Sequence, residues 1–554
     1  MKLNILAVVF CTLFFQLTAC SEESTSNIGV DASKDIVIKE AIIEKTTLTS
    51  KSDPWYSDVI SKFDASMNDT NIISLIHPQK QSFISVSSDE FKGTKGLEAF
   101  DENLERFNQS NITVAYRNFK SILDNAKCSD SCYALMAYKF AEMGLFSLSR
   151  ASMDKIEDKD IWEKYLYSIK INYFPKKELE LSEELFLADL NVAINYNNLT
   201  RESIVSIMDG ERSLKRSDYA NYLVSTAFFV EKDYQKALAA INRSTSINST
   251  NFNYIILKAK ILSELDKNQE ALKALNSINS DDLLFATMID EYDKTKAFLA
   301  SKSEKNQLKA KYNLASYFYL TNDNLRALIE LSSVTPKNKL PESTNLVADI
   351  YFNQKNYDKA LEYYQKNVKT FKHYAPSYVG LGNISIANKD YKNAEKYYVK
   401  AYRYNKSIDA LVNLSVLNFI DKDLSGAKDK CSEVLSKNSD YYKGYYLLAK
   451  YRPEKRVYNL KRAAAANPFY INTWLDLADN AILNNDPSLA QKYLDNVRFF
   501  SAKNSRYYYY MGVISRINSD EQIAQKYFSK ATSLLSEENG HNIELLGVSE
   551  KKDF

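Results

Sequence analysis

Cys128 and Cys132 have three residues between them, a spacing that could give a disulfide, two free thiols at a helix start, or part of a metal site. A disulfide needs Cα atoms within about 7 Å. A metal site needs further ligands, and no histidine lies nearby, so no metal is assigned and the choice between bonded and free pair stays open. The three histidines, His77, His373 and His541, are far apart, and no cysteine or serine motif accompanies them. No H-E-x-x-H, G-x-S-x-G or Walker pattern occurs. The stretch Lys92-Gly93-Thr94-Lys95-Gly96 lacks phosphate-loop spacing and reads as a turn. Carboxylate pairs such as Glu183-Glu184 read as solvated helix faces. No catalytic residue and no cofactor are expected, and the chain is read as non-enzymatic.

The N-terminus carries a different chemistry. Lys2 precedes a stretch from Leu3 to Leu17 that is apolar apart from Asn4, Thr12 and Gln16. That is too short for a comfortable membrane span and fits a secretory signal over residues 1–19. The signal ends Leu17-Thr18-Ala19-Cys20, which resembles a bacterial lipobox. The resemblance implies that Cys20 is lipidated and becomes the new N-terminus; the alternative is an ordinary signal peptide with an incidental cysteine. Ser21 in place of Asp, by resemblance to enteric lipoproteins, favours the outer membrane. Glu22 and Glu23 resemble a surface-export signal of some other bacteria, so both faces stay open, the periplasmic one favoured. In such an oxidising compartment a Cys128–Cys132 bond is plausible. Residues 20–53, rich in Ser, Thr, Asp, Glu and Lys, read as a lipidated tether spanning on the order of 30 Å. Residues 54–98 hold Pro54, Pro78, Gly93 and Gly96 and read as an irregular cap.

The rest of the chain is periodic. Ala348, Gly382 and Ser415 are followed twelve residues on by Ala360, Ala394 and Ala427, and four further by Tyr364, Tyr398 and Cys431. A period near 34 marks a stack of helix pairs. With Gly at 12 and Pro at 9, helix breakers are scarce, which favours an all-α chain. Lys+Arg at 72 and Asp+Glu at 70 leave no basic field to draw nucleic acid. Small residues let the helices of one pair approach, and large ones fill the space to the next pair. Tyr378, Leu381-Gly382, Ala394, Tyr398 and Ala401, with Trp474, Leu477-Ala478 and Ala490, and with Tyr508, Met511-Gly512, Ala524, Phe528 and Ala531, resemble the tetratricopeptide-repeat family. The resemblance covers about four-fifths of the chain. It implies a tetratricopeptide-repeat solenoid, a right-handed superhelix of helix-turn-helix pairs. The expected units are degenerate helices at 99–217, a repeat pair plus an odd helix at 218–307, an array at 308–538 and a tail at 539–554. Faults in the register at 164–217, 285–307 and 442–470 are where the stack should bend or change pitch. Cys431 is read as a core filler.

In that family the first helix of each pair lines a concave groove. Carried onto this chain, the groove would present Tyr312, Tyr319, Asp349, Asn383, Asn413, Asp479 and Tyr509. Asn383 and Asn413 match the two asparagines of a carboxylate clamp, but its cations are missing: Val379 and Asp409 stand there instead. The run Tyr507-Tyr508-Tyr509-Tyr510 turns through a full helical circle, which predicts Tyr508 in the core and Tyr509 in the groove. Function is read as a lipid-anchored scaffold in a bacterial envelope. It would hold an envelope protein or peptide segment in the groove and assist assembly of a pilus, secretion or exopolysaccharide-export machine. The rival reading is an outer-membrane glycan- or solute-binding lipoprotein; regular register and scarce tryptophan weigh against it.

Overall fold

The computed structural model describes residues 100, 103, 112–195, 216–284, 286–334, 340–498 and 504–541. The signal segment, Cys20, the tether, the cap 54–98 and residues 542–554 lie outside the described residues. Among the described residues there are 24 α-helices and no strand. The first eight are α1 (Ile112–Asn125), α2 (Asp130–Met143), α3 (Phe146–Asp154), α4 (Lys159–Tyr173), α5 (Leu181–Asn195), α6 (Asp218–Val230), α7 (Tyr234–Ile247) and α8 (Phe252–Glu264). Then follow α9 (Asn268–Leu275), α10 (Ala286–Ser303), α11 (Gln307–Leu320), α12 (Asn324–Val334), α13 (Pro341–Asn353), α14 (Tyr357–Thr370), α15 (Ala375–Ala387) and α16 (Tyr391–Asn405). The last are α17 (Ile408–Ile420), α18 (Leu424–Lys437), α19 (Tyr442–Tyr451), α20 (Arg456–Ala466), α21 (Ile471–Leu483), α22 (Pro487–Arg498), α23 (Ser505–Ile517) and α24 (Glu521–His541).

One turn joins the two helices of most pairs, and it uses no glycine. After α15, Lys389 takes a left-handed φ of 57°. The Asp390 N–H then reaches back to the Ser385 carbonyl at 2.8 Å, closing α15, and the Asp390 side chain accepts from the Asn393 N–H at 3.1 Å, opening α16. One residue thus satisfies orphan groups of two helices. The same double bond recurs at Asp233, Asp323, Asn356, Asp423, Asp486 and Asp520. A left-handed non-glycine residue costs about 1–2 kcal/mol, which the bonds on either side offset. Within each pair the approach depends on small side chains. Ala360, Ala394, Ala427, Ala490 and Ala524 are wholly buried. A Cβ at Gly382 would lie 2.4 Å from the Tyr398 ring, so this ring needs glycine beneath it.

From α11 onward, first helices of neighbouring pairs touch each other at α11–α13, α13–α15 and α21–α23, whereas second helices make no comparable contact. The stack therefore curves toward its first helices, which form the inner face.

The stack is also closed. Each helix from α8 to α20 packs on the next, and α4 packs on both α20 and α8. The joint is aromatic. Trp162 and Tyr165 of α4 stand edge-on against Phe469, in the loop before α21, at 5.3 and 4.9 Å between ring centroids. Trp162 is wholly buried and its indole N–H has no acceptor, so the contact rests on apolar burial. Ser168 and Asn172, further along α4, bond the Asp282 carbonyl at 2.9 and 3.3 Å, and Lys164 pairs with Asp440 at 2.8 Å. As a result the two ends of the described chain share one hydrophobic core. The irregular segment 442–470 meets a helix that enters the fault at 164–217. The third fault, 285–307, contains the long helix α10, which bridges α9 and α11. Trp162→Ala is expected to cost about 3–5 kcal/mol and to open the joint. A lowered denaturation midpoint together with a larger radius of gyration by X-ray scattering checks this.

Candidate functional site

The inner face carries two polar clusters. The first lies on α11, α13 and the turn before α15. Tyr312, Tyr319 and Asp349 are half-buried there. The Asp349 carboxylate accepts from the Tyr364 hydroxyl and, at 2.8 Å, from the Asn345 amide. The Asn353 amide bonds the Tyr319 hydroxyl one turn along α13. Burial, then the Asp349 charge, holds the Tyr319 phenol well above its ordinary range; Tyr374, in the turn before α15, is raised by burial and then by Glu342, Tyr312 and Asp349. Three of the seven predicted groove residues thus come together, and Tyr374 joins them.

Asn383 and Asn413 have a different setting. They are 3% and 1% exposed. The Tyr398 hydroxyl donates to the Asn383 side-chain oxygen at 2.8 Å, and Asn413 is a further partner of that hydroxyl. Both asparagines serve the buried tyrosine of α16. The Tyr398–Asn383 pair repeats the Tyr364–Asp349 pair one period later. In both repeats a polar side chain of the first helix accepts a hydrogen bond from the buried phenol of the second. Sequence shows the two tyrosines and the two polar residues at equal spacing, but not that each phenol needs an acceptor when buried.

The second cluster lies on α19, α20, α21 and α23. Arg506 pairs with Asp476 at 2.6 Å, and Arg456 with Asp479 at 2.9 Å. Lys450 stands over the Tyr446 ring at 4.9 Å. Among the described residues its ammonium makes no hydrogen bond or ion pair. Three cations therefore face two carboxylates, leaving one positive charge over. Burial lowers the Lys450 pKa, and Arg506 and Arg456 lower it further, against the pull of Asp476 and Asp479. Burial pushes the Asp476 carboxyl up, but Arg506, Lys450 and Arg456 together overturn this and hold it low. At Asp479 burial outweighs Arg456, and the carboxyl is raised. Tyr510 belongs to this cluster, with its hydroxyl 3.4 Å from Arg506. Tyr509 instead packs on Phe528 of α24 at 5.8 Å. Tyr507 and Tyr510 are the buried members of the tyrosine run, and Tyr508 is half-buried rather than core.

Lys450, Arg456, Arg506 and Asp476 escape sequence reading for a physical reason. Arg456 and Lys450 sit in the shortened repeat, where a 3-10 turn at Pro453–Lys455 resets the register. Arg506 and Asp476 look like ordinary surface charges until α23 is laid on α21.

Cys128 and Cys132 are joined by a disulfide with Cα atoms 5.8 Å apart. Cys431 is wholly buried against Ser415, and burial pushes its thiol up to about 12. Among the described residues no three His, Cys, Asp or Glu side chains converge as metal ligands, and no helix is long and apolar enough to cross a membrane.

Comparison with known proteins supports the tetratricopeptide-repeat resemblance. Residues 342–369 and 375–408 match the model described as tetratricopeptide repeat, and residues 207–278 match that described as anaphase-promoting complex, cyclosome, subunit 3. A TPR repeat-containing protein of Methanocaldococcus jannaschii is 27% identical over 160 residues, 28% of this chain. The chain covers 26% of that relative's length. Among solved structures, yeast Tom70 has a TM-score of 0.35 at 14% identity, covering 67% of this chain and 94% of that one. The Cut9–Hcn1 hetero-tetramer gives 0.33 at 11%, covering 76% and 95%. A tetratricopeptide repeat protein from Parabacteroides merdae gives 0.23 at 16%, covering 59% and 98%. At such scores the architecture rests on the chain's own helix packing and on the family matches.

Asp349 gives the first cluster a pH signature. Burial raises its carboxyl from 3.8 to about 6, against the two hydrogen bonds. Between those values the folded chain binds this proton more tightly than the unfolded one. Stability therefore falls as pH rises through that window, by up to about 3 kcal/mol, and levels off above it. Asp349→Asn should remove this component. Urea midpoints at pH 4.5 and 7.5 check it: the variant gains on the wild type at the higher pH.

Proposed function

We propose that this chain is a non-catalytic interaction scaffold whose inner face seats an extended segment of a partner protein. The single observation that carries the reading is the second cluster: a buried, paired array with one cation left over, at Lys450. Lys450 is half-buried, and holding an unpaired ammonium away from full hydration is costly. A carboxylate brought by a partner would balance the charge, and the tyrosines and amides of the first cluster would hold its backbone and side chains further along. Repeat solenoids use their curved faces in this way. The Leu17-Thr18-Ala19-Cys20 motif supports the wider reading, in which lipid on Cys20 anchors the scaffold to the outer membrane, on its periplasmic side, to serve assembly of a pilus, secretion or exopolysaccharide-export machine.

Site-specific photo-crosslinking in cells tests the inner face. A crosslinker at the half-buried Tyr312 or Tyr319 is expected to give discrete protein adducts, and one at the exposed Ile329 of α12 none. Lys450→Ala should weaken capture about tenfold, which corresponds to about 1.4 kcal/mol. Equal labelling from both faces, or adducts with glycan and not protein, would sink the proposal. The anchor is tested separately: Cys20→Ser should move the chain from the membrane fraction to the soluble one.

A further inference from the structure

We propose that the Cys128–Cys132 disulfide is a thiol-exchange site, and that its reduction releases the seam between α2 and α22. This goes beyond the scaffold reading and does not depend on what the inner face holds. Three residues lie between the bonded cysteines, and each is committed to a distant part of the chain. The Ser129 hydroxyl donates to the Asp495 carbonyl of α22 at 3.0 Å. The Ser131 N–H donates to the Asn496 side-chain oxygen at 3.1 Å. The Asp130 carboxylate between them accepts from the N–H groups of Glu157 and Asp158, both at 2.9 Å. Glu157 in turn pairs with Lys492 of α22 at 2.8 Å. Ser129 also caps α2, accepting from the Cys132 N–H. Because its proton is spent on Asp495, the Ser131 hydroxyl must donate to it across their 2.7 Å contact. The seam is thus built on a loop whose ends the disulfide holds together.

The bond can be reached from one side. Cys132 is wholly buried, whereas Cys128 is half-buried and lines an open cleft of about 580 Å³ at the seam. Lys127, Lys155, Lys492 and Arg498 line that cleft, against Asp130, Glu157 and Asp495. The surplus of cations favours approach of a thiolate. Exchange therefore starts at Cys128. A thiolate of a dithiol reductant bonds to the Cys128 sulfur, the S–S bond breaks, and Cys132 leaves as a thiolate that takes up a proton. The reductant's second thiol, deprotonated, then closes the reductant's own disulfide and frees Cys128 as its thiol. With the link gone, the segment before α2 no longer pins Ser129, and the hydrogen bonds to α22 must order the loop unaided.

Hydrogen–deuterium exchange on the full chain tests this, with dithiothreitol as the reductant. Reduction without denaturant is expected to speed exchange of peptides covering 128–133 and 492–498 at least tenfold, while α15 and α16 stay unchanged. A Cys128→Ser, Cys132→Ser variant should match the reduced protein. Asn496→Ala, with the disulfide intact, should loosen the same two peptides. A bond that resists dithiothreitol in the folded chain overturns the exchange site. Faster exchange at 128–133 with 492–498 unmoved overturns the coupling. Loss of helical circular dichroism on reduction makes the disulfide a folding staple and also refutes the proposal.

Discussion

The edge-on contact of Trp162 and Tyr165 with Phe469 joins parts of the chain that lie far apart in sequence. A repeat stack ordinarily grows in one dimension, each pair resting on its neighbours. Here the chain must also bring its ends together, and the entropy of closing so long a loop rises only slowly with length. The aromatic joint, the polar contacts of α4 and the α2–α22 seam together oppose it once the intervening pairs have set the curvature. That curvature is therefore constrained: every pair between α8 and α20 must add the rotation that delivers Phe469 to α4.

The same arrangement explains why the inner face tolerates costly chemistry. Buried ion pairs such as Arg506–Asp476 give little net stability against their desolvation. A buried phenol that must donate its hydrogen bond to Asp349 or Asn383 demands equally exact placement. An open, compliant stack would hold such groups loosely. In the closed one, first helices pack on first helices, and the polar residues of α13, α21 and α23 are held from two sides.

Much of this was legible in the residues. The alanine and tyrosine spacing that begins at Ala348, Ala360 and Tyr364 gives the helix pairs, their inner and outer members and the buried place of Cys431. Tyr312, Tyr319 and Asp349 were readable as inner-face groups because they lie in regular copies. What stayed hidden lies in the faults. Closure depends on Phe469, in a repeat too short to carry the period, and on Trp162, next to a segment with no register. Charge pairing across successive first helices, as between Asp476 and Arg506, depends on how α21 and α23 lie on each other, which no single repeat encodes. The turn built on Asp390 and its six counterparts was within reach: a Lys, Asn or Ser followed by Asp or Asn stands at each of those junctions.

Closure also changes how the molecule takes a load. An open solenoid behaves as a spring: a pull on its ends is shared as slight bending at every interface, and the whole lengthens smoothly. A hoop has no such compliance. Force entering ahead of α4 meets the α2–α22 seam and the aromatic joint before it meets the interfaces between α8 and α20. The molecule then stays at fixed length up to a threshold and yields abruptly, with the repeats behind it free to stretch only afterwards.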